Sequence, residues 1–152
     1  MARAVDPMST SMTENMTSSA GLILSRARAH VEDAPYAVTI EVGGHVIVAD
    51  EPKEQGGRNA GPSPFGLLLS ALGACTAMTL RMYAEHKQWP LASLQVELRH
   101  LRPHGGGPNR IERVLTISGL DEQQRAKLAD IAERTPVTLA IKGGVAIDTT
   151  LA

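Results

Sequence analysis

The stretch GPSPFGLLLSALGACTAMTLRMYAEHKQWPL, Gly61 to Leu91, decides how the whole chain is read. Ser63 offers the hydroxyl acceptor of a helix N-cap, and Pro64 suits the first turn, where a missing N–H costs nothing. From Phe65 to Leu80 no residue is charged, and Arg81 is the first that is. Trp89-Pro90 closes the run, because proline disfavours helix in the residue before it. This charge-free part is shorter than the roughly 20 apolar residues a membrane span takes, and Gly66, Ser70, Gly73, Thr76 and Thr79 interrupt it. A helix apolar on nearly all sides in a soluble chain is buried on nearly all sides. The segment is therefore predicted to be the central helix of the fold.

Upstream, Val38, Ile40 and Val42 alternate with Thr39 and Glu41, Gly43-Gly44 follows, and His45 to Asp50 reads as a second strand. Two glycines between alternating runs fit a tight hairpin, whose turn needs positive φ. Glu51 to Pro62 is read as a loop, broken by Pro52, Gly56-Gly57 and Gly61-Pro62. Downstream, Leu94, Val96, Leu98 and His100 share one strand face, Pro103 to Pro108 is a glycine-rich turn, and Ile111 to Ser118 is the paired strand. Asp121 caps a second helix running to about Arg134, with Leu128, Ile131 and Ala132 inward. Thr135-Pro136 announces a short further helix, and Val145, Ile147, Thr149 and Leu151 alternate as a closing strand. Strands, helix, strands, helix, strand is an α+β order.

The 152 residues suffice for one domain with a core, taken as residues 21–152, behind a disordered leader over residues 1–20 rich in Ser, Thr and Met. A net charge of -1 with scattered Lys and Arg gives no footprint for nucleic acid or an anionic membrane surface. Aromatic residues at 3% leave no stacking platform for single strands. The one cysteine excludes an intramolecular disulfide, and no apolar signal region precedes the domain, so a cytoplasmic location is expected.

The run from Gly61 to Leu91 resembles the central helix of the OsmC/Ohr family. VADEPKEQGG (Val48 to Gly57) resembles the strand and loop leading into it, and IAERTPVTLAIKGGVAIDTTL falls where that family carries a second motif. The resemblance implies an OsmC-like fold, with curved antiparallel sheets wrapped around a long buried helix in an intertwined homodimer. It implies reduction of organic hydroperoxides through a pair of cysteines, with no cofactor. It puts the peroxidatic cysteine at Cys75, held ready by an arginine and a glutamate, with lipoylated proteins or small thiols as reductant. The sequence departs from that pattern. Thr135-Pro136-Val137-Thr138 stands where the family has Cys-Pro-Val-His, so no resolving cysteine is present. Gly66 holds the glutamate position, and only a short glycine-rich turn fills the region between His100 and Arg110, where some relatives carry a cysteine-bearing insert.

Read by itself, Cys75 shares a helical stripe with Leu68, Leu72, Thr79 and Met82. A lone cysteine on such a face is more often a small core hydrophobe than a nucleophile. Only the thiolate attacks peroxide, and burial among leucines disfavours it unless a cation compensates. Arg58, ahead of the helix, and Arg26 and Arg28, on the expected first strand, are the candidate cations. Leu68, Leu72, Met78 and Met82 are the expected lining of an apolar pocket beside the thiol. His45, His100 and His104 lack metal-site spacing, and Gly105-Gly106-Gly107 lacks the lysine of a phosphate loop. Three readings remain: a one-cysteine peroxidase resolved by an external thiol, a peroxidase-inactive dimer binding a small apolar ligand, and a structural dimer with an inert thiol.

Overall fold

The structure is a computed structural model that describes residues 17–18, 21–31 and 33–152; the leader expected over residues 1–20 lies almost wholly outside them. The chain divides into two compact units, one ending at Pro62 and one running from Ser63 to Ala152.

In the first unit, β1 (Thr17–Ser18) pairs with β2 (Gly21–Leu22), and β3 (Ala27–Val31), β4 (Val38–Val42) and β5 (His45–Ala49) form an antiparallel meander. The β4–β5 turn is the one read from Gly43-Gly44. Both have positive φ, 55° and 80°, and Val42 pairs with His45 across it. After β5 the chain folds into a loop organised by Asp50. This carboxylate is buried, yet it accepts hydrogen bonds from the backbone N–H groups of Glu51 (2.8 Å), Arg58 (2.9 Å) and Ala60 (3.1 Å). Three N–H donors stabilise the ionised form, and the Ala60 bond leads in holding the Asp50 carboxyl below its usual value, against the opposing effect of burial. Gly57 and Gly61 are required here by close approach. A Cβ on either would lie 1.9 Å from a backbone oxygen, that of Glu51 or of Val48.

The second unit opens with α1 (Pro64–His86). Ser63 caps it, accepting from the Gly66 N–H at 3.2 Å, with Pro64 in the first turn. The helix is followed by the antiparallel pair β6 (Ser93–Leu101) and β7 (Arg110–Ser118), then α2 (Glu122–Ala132) and α3 (Pro136–Gly143). Asp121 and Gln124 close a full capping box on α2. One face of the β6–β7 pair presents Leu94, Val96 and Leu98 opposite Ile117, Leu115 and Arg113. It packs against α1 closely enough that a Cβ on Gly73 would sit 3.2 Å from Leu98 Cδ1. The core is Leu80, Leu128 and Ala132, surrounded by Tyr83, Trp89, Leu94, Leu115 and Ile117. Tyr83 and Trp89 meet edge to face at 5.5 Å.

Two expectations change. The central helix, 23 residues long, buries one stripe, Leu72, Thr76, Leu80 and Ala84, instead of nearly every side. Within the second unit, β6, α2 and α3 pack on it, and Phe65, Leu68, Met78 and Met82 are exposed. By length and composition alone the helix could cross a membrane, a test that the core helix of a soluble protein also passes. The closing strand does not form. Among the described residues, 144–152 have no strand partner, and Val145, Ile147 and Leu151 are exposed, because alternation alone supplies no neighbouring strand to bond to.

Candidate functional site

Cys75 lies at the middle of α1 and is half-buried. The stripe drawn for it from sequence is displaced. The buried line runs through Leu72 and Thr76, so Cys75 stands at its margin rather than in the core. Its neighbour Thr76 is fully buried, and its hydroxyl donates to the Leu72 carbonyl at 2.8 Å. That leaves the hydroxyl's lone pairs for an incoming donor.

That donor is Arg113 of β7, a residue that the sequence reading left unmarked. Its Nη1 donates to Thr76 Oγ1 and to Thr138 Oγ1, each at 3.0 Å, and its Nη2 donates to Glu133 Oε1 at 3.0 Å. Only 12% of the Arg113 side chain is exposed. A guanidinium can do this because its planar fork presents several fixed donors. Thr138 in turn shares a 2.7 Å hydrogen bond with Thr135 and donates toward the Ala132 carbonyl at 3.1 Å. Glu133 also pairs with Lys142. Lys142 first, and Arg113 second, hold the Glu133 carboxyl below its usual value. The result is a polar knot joining α1, β7 and the start of α3, in which Thr76, Thr135 and Thr138 are buried and all have partners.

Thr135 and Thr138 are the two positions at which this sequence departs from the Cys-Pro-Val-His motif. Thr135 sits at the N-cap of α3, as the Thr135-Pro136 pair predicted, but its hydroxyl does not cap the helix. It is turned to Thr138 instead. The signal that could have revealed Arg113 is the strand alternation. Ile111, Arg113, Leu115 and Ile117 share the inner face of β7, so a charge at Arg113 must find partners indoors.

Beside the knot lies a cavity of about 420 Å³. Leu68, Leu72, Phe65, Ile111 and Ile141 form its apolar walls, and Phe65 stacks on His100, another lining residue, at 4.2 Å. Arg110, Arg113, Lys142 and Glu133 bring charge to the same cavity. Of the four expected pocket residues, Leu68 and Leu72 line it. Met78 and Met82 do not, because their positions on α1 face outward in the chain, where both are about two-thirds exposed (65% and 67%).

The candidate cations Arg26, Arg28 and Arg58 all belong to the first unit. Arg28 faces Glu41 across β3–β4 at 4.0 Å with both side chains largely exposed, and the Arg58 backbone N–H is tied to Asp50.

The sequence profile of the family described as OsmC-like protein matches residues 56–150. No curated protein matches the chain by sequence. Among solved structures, an OsmC-like protein from Mycoplasma pneumoniae is similar, with a TM-score of 0.66 and 23% identity, over 79% of this chain and 88% of that one. An organic hydroperoxide resistance protein OsmC from Legionella pneumophila gives a TM-score of 0.64 and 22% identity, over 82% and 93%. An organic hydroperoxide resistance protein from Elizabethkingia anophelis gives 0.62 and 18%, over 81% and 91%. At these identities the likeness is one of fold, and membership rests on the profile match, which spans more than half of the chain. This chain belongs to the OsmC-like protein family.

Proposed function

We propose that this protein is a one-cysteine, thiol-dependent reductase of organic hydroperoxides, working in the cytoplasm as a homodimer. Family membership and structural neighbours described as organic hydroperoxide resistance proteins support a role in peroxide chemistry. The observation that carries the single-cysteine form is Thr135. It is fully buried and bonded to Thr138, and no second thiol exists in the chain.

In this reading the Cys75 thiolate attacks one peroxide oxygen, the O–O bond breaks, and the alcohol leaves as it takes up a proton. Cys75 is left as a sulfenic acid. A small thiol or a dihydrolipoyl group displaces water to form a mixed disulfide, and a second thiol releases Cys75 and carries the disulfide away. Arg58 or Arg28, the latter from either protomer, supplies the cation that favours the thiolate. No metal or cofactor takes part.

The buried Thr135–Thr138 pair and the apolar cavity favour a second reading, a peroxidase-inactive dimer that binds a small apolar ligand. One experiment decides between them: loss of cumene hydroperoxide with dihydrolipoamide, then with glutathione, compared with Cys75→Ser. Turnover that disappears in the variant supports the peroxidase. Equal rates in the two proteins end it.

A further inference from the structure

We infer that the cavity between α1, the β6–β7 pair and α3 is a binding site for a small amphiphilic carboxylate, an apolar body with one anionic head. The inference does not depend on Cys75, which does not line the cavity. The volume, about 420 Å³, lies within the usual small-ligand range of about 300–1,000 Å³. Its walls are aliphatic where Leu68, Leu72, Ile111 and Ile141 meet, and an aliphatic body gains there by leaving water.

The charge at its edge sets the head group. Arg110, Arg113 and Lys142 are cationic and only Glu133 is anionic. Glu133 is already engaged by both Arg113 and Lys142, and Arg113 is spent on three acceptors. Arg110 is different. It stands at the first position of β7, exposed, and has no ion-pair partner among the described residues. A cation excess around an apolar hollow selects an anion with an apolar tail over a neutral or cationic amphiphile. Arg110, with its free planar fork, is the residue suited to take a carboxylate on two oxygens.

The test uses the full-length Cys75→Ser protein, so that thiol chemistry contributes nothing, and titrates it calorimetrically with octanoate, octanol and octylammonium. Octanoate is expected to bind best and to weaken as salt is raised, while octanol is insensitive to salt. Arg110→Gln should weaken octanoate about tenfold and leave octanol unchanged. Arg110→Glu, an exposed strand-end change that leaves the core intact, should turn the preference toward octylammonium. Equal binding of octanoate and octanol, no binding of either, or an unchanged octanoate affinity in both Arg110 variants overturns the assignment. None of these outcomes bears on peroxide turnover, so failure here and failure of the peroxidase reading are separate results.

Discussion

Arg113 reaches Thr76 Oγ1 over 3.0 Å, one residue along α1 from Cys75. A largely buried guanidinium with three side-chain acceptors holds the helix, the strand and α3 in one arrangement. Arg113→Met should lower stability by about 1–3 kcal/mol, read as a shifted urea midpoint at unchanged slope. The cost stays in this range because Thr76 and Thr138 keep their backbone partners and Glu133 can turn to water. Combined with Thr138→Val, the two losses should fall short of additive by at least about 0.5 kcal/mol, since both remove the same bond. Strict additivity would show that the bond contributes nothing. Arg113→Lys should recover only part of the loss, because an ammonium cannot span the three acceptors in one plane.

Asp50 predicts a pH effect in the first unit. Its carboxyl is held below the usual value by the Ala60 N–H most strongly, then by those of Arg58 and Glu51. A group with a depressed native pKa stabilises the fold above its unfolded value, about 3.9, and that contribution is lost as pH falls through the lower native value. Asp50→Asn replaces one acceptor oxygen with an NH2 group facing backbone donors. The variant should be less stable at neutral pH, and its stability should decline less steeply toward acid. Parallel acid-denaturation curves for the two proteins would refute the assignment.

Gly61 predicts a steric effect. A methyl group there would be driven against the Val48 carbonyl at 1.9 Å, which is backbone and cannot rotate away. Gly61→Ala should cost about 1–3 kcal/mol, the scale of other overpacking changes, and lower the melting temperature. Gly105→Ala, with open space around it, is the matched control and should melt as the parent does.

Local signals made much of the fold legible in advance. Ser63-Pro64 and the charge-free run fixed the start and character of α1, Gly43-Gly44 fixed the hairpin, and Asp121 fixed the start of α2. Each of these is a short-range instruction written within a few residues. The Arg113 knot is not. Its acceptors lie 37, 25 and 20 positions away, so nothing near Arg113 in the sequence announces them. Asp50 was hidden for a related reason, since its partners are backbone N–H groups that any residue type would offer. The final segment misled in the opposite direction. Val145, Ile147, Thr149 and Leu151 alternate as a strand should, but a strand exists only where another backbone receives its hydrogen bonds. The sequence places Cys75 on the central helix, but the stripe that the helix buries, Leu72, Thr76, Leu80 and Ala84, was not legible, because an ideal helical wheel cannot tell which stripe the β6–β7 pair will cover.

The polar knot also sets how the C-terminal part of the molecule opens. For α3 to lift away, Thr138 must give up Arg113 and the Ala132 carbonyl together, and Lys142 must leave Glu133. A helix of 8 residues would by itself fray continually, yet this one is bound to the same cooperative unit as α1 and β7. Amide exchange along α3 should therefore be slow nearly up to the global limit, and become abruptly fast beyond Gly144, where no strand or helix holds the backbone among the described residues.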